Sequence, residues 1–477
     1  MFTVATPSRS DNRSFQTVVE PFLQEAGLPF AQVLSARDIE EAFRDQGGLF
    51  GQDDIYATQI VLWAFLAQVL RDGKGAACAA AVADIATYCQ QMNLAVPCGD
   101  TGDYCRARAK LNRTALRRLV GQTAEELDQE ADPSWLWHGM HAKLVDGFTF
   151  TMMDTPANQR AFPQAKTQAS GVGLPVARTC AILSLATAAI QDIAIGPYEG
   201  KETGETALLR SLLDGLDEGD LVVFDRYFCS YMMLALLRQR GVQACTRLHQ
   251  RRPTDFRRGR RLGKYDHLVT WTRPERPEWM PEDLYTQIPQ TQTLRELQFE
   301  VTEPGCRVSV ITVITTLTDP VAYPKEEIAA LFGRRWNVEL DIRAIKQTLH
   351  LDHIQCKSPA MVLRHLWVTL LAYNLIRKLI ATAAGVHGKQ PRQLGFTLAC
   401  QTVLSSWMLL STGRCRDARD LWKRALTRIA ANEVANRPGR IEPRVLKRRR
   451  HGYKLMQQPR RELQAKLRLN PNACAKT

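Results

Sequence analysis

Between positions 142 and 248 the sequence switches repeatedly between two hydrophobic periods, and the order of the switches sets the fold class. "AKLVDGFTFTMM" (142–153), "ARTCAILSLATAAI" (177–190) and "QDIAIGPY" (191–198) read as strands. "GETALLRSLLDGL" (204–216) reads as a helix, "GDLVVFD" (219–225) as a short apolar strand, "SYMMLALLRQRG" (230–241) as a second helix and "VQACTRL" (242–248) as a further strand. Three strands, helix, strand, helix, strand specify an α/β sheet with mixed strand directions.

The flanking regions carry other patterns. Residues 1–135 show helical spacing punctuated by Pro29, Gly48, Gly73 and Pro97, so an all-α N-terminal domain is expected. A helix, break and basic helix at 84–111 suit a DNA-binding helix pair or a plain bundle. The core would then occupy 136–247 and resume at 323–385. Between them, at 248–322, helical spacing vanishes and a basic, then Pro- and Trp-bearing, then strand-like segment suggests a β-rich insertion. Residues 386–477 read as helical and basic.

The formal net charge of +14 favours a polyanionic partner, of which nucleic acid is the commonest. The charge is concentrated. Residues 437–468 hold twelve Lys/Arg against two Glu, and "RLHQRRPTDFRRGRRLGK" (247–264) holds eight against one Asp. Two such blocks suit phosphate contacts. Twelve cysteines without a CxxC pair, and no signal peptide before them, point to reduced thiols in a cytosolic protein. The longest apolar runs, at 60–70 and 365–376, are too short to span a bilayer, so no membrane partner is expected.

Three acids stand where a polar residue needs a reason. Asp146 interrupts the first strand, Asp225 ends the most apolar one, and Glu339 lies on the helical stretch "LFGRRWNVELDIRAIKQTL" (331–349). Each has a structural reading: a turn with Gly147, a helix cap, and ion pairs with Arg335 and Arg343. Together they make the oxygen-rich donor set that Mg2+ prefers, suited to two-ion attack on a phosphodiester. On the 331–349 helix, Val338, Ile342, Ile345 and Leu349 form the expected core stripe. Phe332, Arg335, Glu339, Arg343 and Lys346 form a second stripe about 100° away. In it, Arg335 and Lys346 would hold phosphates and Phe332 would stack on a base or sugar.

The chain resembles DDE transposases of the insertion-sequence-4 family, whose core is ribonuclease-H-like. That family's third-carboxylate helix carries Tyr, two residues, Arg, three residues, Glu, six residues, Lys. Arg335, Glu339 and Lys346 match, and Phe332 stands where the family has Tyr. "DGFTFTMMDTPANQRAF" (146–162) and "GDLVVFDRYFCSY" (219–231) resemble the blocks around the two catalytic Asp, which assigns Asp146 and Asp225. Asp154 is the rival to Asp146. "LRHLWVTLLAYNLIR" (363–377) and "EPRVLKRRRHGYKLMQQPRREL" (442–463) resemble the C-terminal segments.

The resemblance implies a transposase that binds the terminal inverted repeats of its element, synapses two ends as a homodimer, and cleaves double-stranded DNA by Mg2+-dependent hydrolysis. It would then join the 3′-hydroxyls to target DNA. Two Mg2+ ions, with Mn2+ as a substitute, would be held by Asp146, Asp225 and Glu339. DNA contacts would come from Phe332, Arg335, Lys346, Arg226, Lys447, Arg448 and Arg449. In hairpin-forming members an insertion-domain Trp flips a base, a role open to Trp271 or Trp279. The implied setting is the bacterial cytoplasm, nucleoid-associated on DNA. The alternatives are a catalytically silent transposase-derived DNA-binding protein and a nuclease of the same fold without strand transfer. "HLDHIQC" (350–356) offers His350, His353 and Cys356 for zinc, but lacks a fourth ligand at a normal spacing.

Overall fold

In a computed structural model, the residues described are 33–51, 54–91, 94–301, 310–411, 418–434 and 456–469. The N-terminal part is helical: α1 (Ala36–Arg44), α2 (Thr58–Val69), α3 (Cys78–Gln91), α4 (Gly102–Lys110) and α5 (Arg113–Gln129). Asn112 caps α5 by accepting from the Thr114 and Ala115 amides. Helix α2 is apolar nearly all round and correspondingly buried.

The strands among the described residues join one sheet. β1 (Ala142–Met152) is followed by α6 (Pro156–Ala161), β2 (Val176–Ser184), β3 (Ile190–Pro197), α7 (Glu205–Arg210), β4 (Leu221–Phe224), α8 (Tyr231–Gln239) and β5 (Gln243–Arg247). In space these run β3-β2-β1-β4-β5. The first three pair antiparallel and β1, β4 and β5 pair parallel, a ribonuclease-H-like mixed sheet. All four residues of β4 are buried, which is why it reads as a continuous apolar run: helices cover both faces.

The segment expected as an insertion contributes β6 (Arg260–Gly263), β7 (Asp266–Thr272), α9 (Glu282–Gln287), β8 (Thr291–Glu300) and β9 (Val310–Thr315). It forms no sheet of its own. β9 pairs antiparallel with β5, and β8, β7 and β6 follow in turn, so the insertion extends the same mixed sheet at its edge.

After β9 come α10 (Lys325–Gly333), α11 (Asn337–Arg343), the two-residue β10 (His353–Ile354), α12 (Pro359–Val386), α13 (Phe396–Ser411), α14 (Ala418–Ala431) and α15 (Arg460–Leu469). The 331–349 stretch is therefore not one uniform α-helix. A 3-10 turn at Arg334–Trp336 separates α10 from α11, and a π turn at Ala344–Thr348 follows α11. A 3-10 turn advances 120° per residue rather than 100°, so three residues rotate what precedes them by about 60°.

Helix α12 is the spine. Ser358 caps it, Pro359 occupies its first turn, and it packs on α2, α5, α13 and α14. The apolar run read at 365–376 lies inside this 28-residue helix, which is long and apolar enough to cross a membrane. Of its most apolar window, 89% is buried inside the protein, as a core helix requires. One hydrophobic cluster joins α2, α5 and α12 to one face of the sheet; a second, with α7 and α8, covers the other.

Candidate active site

The parallel register sets the first two acids side by side. Val145 of β1 pairs with Phe224 of β4, and Phe224 with Thr246 of β5. One residue further along come Asp146 on β1, Asp225 just past the end of β4 and Arg247 at the end of β5. The Thr246 hydroxyl donates to the Asp225 carbonyl at 3.2 Å, fixing the chain as it leaves β4. Asp225 stands at the N-cap of the following 3-10 turn, yet its side chain makes no capping bond. The capping reading of Asp225 therefore fails, and its carboxylate is free for other work. The carboxylate of Asp146 accepts from the Gly147 amide at 2.8 Å through Oδ1.

Glu339, exposed on α11, completes the set through Arg335. The Arg335 guanidinium lies 3.4 Å from Glu339 Oε1 and 3.9 Å from Asp146 Oδ2. It is only 6% exposed, and its Nε is buried without a partner. A buried, unpaired N–H calls for an acceptor. Arg343, the other expected partner of Glu339, is exposed and makes no ion pair among the described residues.

Burial pushes the Asp146 carboxyl up to about 6. The Gly147 amide and Arg335 pull it down, while Glu205 and Glu339 add to the rise. Burial also lowers the Arg247 pKa, helped by Arg226 and opposed by Asp225, so Arg226 and Arg247 flank the second acid.

The structure corrects one contact. Phe332 does not face the acids' open side: it is 2% exposed in the core, and the Arg335 guanidinium carbon stands 6.0 Å from its ring centre. The 3-10 turn between Phe332 and α11 rotates it off the Glu339 stripe, so it forms the floor under Arg335. Lys346, in the π turn, donates to the Thr149 carbonyl of β1 at 2.8 Å. Its ammonium carries three protons, and this bond uses one of them.

Of the remaining candidates, Asp154 is exposed beyond the end of β1 and accepts from Gln159. Trp271 is buried under Arg252, and Trp279 lies against Arg210, each at cation–π distance. His353 bonds the Thr151 hydroxyl, while Cys356 is a buried thiol with its pKa pushed up to about 11. Lys447, Arg448 and Arg449 lie outside the described residues.

Three residues of this neighbourhood escaped the sequence reading. Trp336 (56% exposed) and Leu340 stand one helical turn apart on solvent, and apolar residues spaced i, i+4 opposite the core stripe were the available signal. Glu205, at the start of α7, lies against Gly147, and no sequence pattern marks that contact.

The donor chemistry fits a hard divalent cation: carboxylate oxygens, one of them with its charge poorly compensated, beside an unpartnered buried guanidinium N–H. Among the described residues no three His, Cys, Asp or Glu side chains stand as a ready-made ligand cluster, and Arg335 occupies the space between Asp146 and Glu339.

The transposase DDE domain family model matches residues 137–375, half of the chain, and spans all three acids. The chain belongs to the DDE transposase family. It is 29% identical over 353 residues to the transposase InsG for insertion sequence element IS4 of Escherichia coli (strain K12), covering 73% of this chain and 76% of that one. It is also 27% identical over 137 residues to the putative transposase InsZ of the same organism, covering 28% and 45%. Among solved structures it is similar to the piggyBac transposase synaptic complex with hairpin DNA, with a TM-score of 0.40, 9% identity, and 91% and 89% of the two chains covered. Membership is of the insertion-sequence-4 type.

Proposed function

We propose that this DDE transposase binds the terminal inverted repeats of an insertion sequence, cleaves the DNA ends by metal-dependent phosphodiester hydrolysis, and joins the freed 3′-hydroxyls to target DNA. The observation that carries this reading is the position of Asp146 on β1 and Asp225 directly after the adjacent parallel β4, with Glu339 tied to Asp146 through Arg335. Asp146, Asp225 and Glu339 are the residues that would hold divalent metal, Mg2+ by preference. Bound there, such ions activate a water or 3′-hydroxyl and stabilise the leaving oxygen.

The chain's own groups do the positioning. Arg335 offers its unpartnered Nε–H to a phosphate oxygen beside the cut. Lys346 holds the π turn against β1 and directs its remaining protons to the same strand. Arg226 and Arg247 supply positive charge next to Asp225, and the exposed cations Arg257, Arg258, Arg260, Arg261 and Lys264 extend a phosphate track over the added strands. Lys447, Arg448 and Arg449 would add to that track. A homodimer would hold two ends together.

The test is incubation of the protein with Mg2+ and labelled end DNA, read for nicks and joined products. Asp225→Asn is expected to abolish both while retaining DNA binding. Undiminished cleavage by Glu339→Gln would overturn the assignment of the third acid.

A further inference from the structure

One carboxylate beside the site has no role in the scheme above. Glu205 opens α7, where an acid is ordinarily favoured by the helix dipole and projects into water. Here it is half-buried and folds back on β1. A Cβ built on Gly147 would lie 2.3 Å from the Glu205 carboxyl carbon and 2.6 Å from its Oε1. Any side chain at 147 would therefore displace it.

Burial raises the Glu205 pKa, and the charge of nearby Arg178 offsets that rise only in part. Glu205 has no hydrogen bond or ion pair among the described residues. Arg178, the cation close by, spends its guanidinium on the Thr203 carbonyl and the Tyr198 ring. Leaving a half-buried carboxylate unpaired beside Asp146 costs free energy unless a ligand uses it.

The backbone at this point is unusually open. On the β4 side, β1 is paired as far as Val145 and again from Thr151, where β10 begins. No described strand pairs with the intervening edge, and Lys346 meets it at the Thr149 carbonyl. Asp146 directs its side chain to the α11 face and Gly147 presents its bare α-carbon to the α7 face. At this unpaired edge no neighbouring strand separates the two faces, and the Glu205 charge acts on Asp146. The unpartnered Nε of Arg335, whose guanidinium stands 3.9 Å from Asp146, independently points to a ligand beside that acid, such as a phosphate oxygen that also meets a cation.

We propose that Glu205 is a fourth carboxylate of the active site, supplying an oxygen donor to a divalent cation held with Asp146. This rests on the reading of Asp146, Asp225 and Glu339 as metal-holding residues. Gly147 is then a positioning residue, required because its missing Cβ is the space through which Glu205 reaches the site.

The experiment is calorimetric titration of the full chain with Mn2+, comparing wild type, Glu205→Gln, Glu205→Asp, Gly147→Ala, the Gly147→Ala/Glu205→Gln double variant and Asp225→Asn. Glu205→Gln and Gly147→Ala are each expected to weaken Mn2+ binding about tenfold or more, the scale seen when a group supporting a metal site is removed. The double variant should be little worse than either single one, because both remove the same donor. Glu205→Asp, which keeps the carboxylate, should retain more affinity than Glu205→Gln. Wild-type binding by both Glu205→Gln and Gly147→Ala, with binding lost in Asp225→Asn, would overturn the role of Glu205 and leave the three-acid site standing. Wild-type binding by Asp225→Asn as well would overturn both. Gly147→Ala keeps Glu205 itself, so a folding defect in one variant leaves the other to decide.

Discussion

Arg335 stands between the first and third acids of the site, its Nη1 3.9 Å from Asp146 and its Nη2 3.4 Å from Glu339. One buried side chain thus links β1 to α11, two elements nearly two hundred residues apart in the sequence. Arg335→Ala is expected to lower single-turnover cleavage by about 10²–10³-fold, the scale for losing one oriented donor. Arg335→Lys keeps the charge without the two-pronged reach and should fall between. A variant that cleaves at the wild-type rate would remove Arg335 from the site.

Asp146 gives a pH signature in the metal-free protein. Its carboxyl is raised to about 6, chiefly by burial, so between pH 4 and 6 the native chain binds more protons than the unfolded one. Its contribution to stability is therefore lost as pH rises through that window, by about 2–3 kcal/mol. Asp146→Asn should be more stable than wild type at pH 7 and not at pH 4, as read from urea midpoints with a chelator present. A wild-type and variant difference that does not change with pH would contradict the shift.

A buried charge triad secures the helix that presents Glu339. Asp341 of α11 is 2% exposed and bonds Arg377 at 2.8 Å and Arg392 at 2.9 Å. Asp341→Ala leaves the buried Arg377 and the part-buried Arg392 without their shared acceptor. It should cost about 3–5 kcal/mol in chemical denaturation. Its cleavage rate should also drop, since the helix that carries Glu339 loses its buried anchor.

Asn374 ties the spine helix to the sheet. Its amide accepts from the Ile190 amide and donates to the Ile190 and Val120 carbonyls, all in the buried core. Asn374→Ala strands the Ile190 groups at the start of β3. Removing them from pairing is expected to cost about 2–4 kcal/mol, measured by urea unfolding.

Much of this arrangement was legible residue by residue. The apolar "LVVF" of β4 reads as a covered strand because helices lie on both of its faces, and Asp225 is conspicuous for ending it. The acids at 146, 225 and 339 stand out because carboxylates in apolar surroundings need a purpose. What the sequence hid was local helix geometry. A constant 100° per residue put Phe332 on the Glu339 face, whereas the 3-10 turn at Arg334–Trp336 turns it into the core. Lys346 meets Thr149 from a π turn, which periodicity does not encode. Glu205 was invisible because its meeting with Gly147 depends on how α7 docks over β1. The fusion of the basic segment to the sheet was equally hidden, since strand pairing between Arg247 and Val313 is a long-range choice.

That fusion has a mechanical consequence. The basic hairpin of β6 and β7 is joined through β8 and β9 to β5, the strand that ends in Arg247 beside Asp225. Among the described residues this path runs from strand to paired strand. If a duplex lay over the hairpin as proposed, a bend in it would be borne by a single sheet that reaches the strand ends where the acids stand. The hairpin is built as a stiff lever arm rather than a tethered hand.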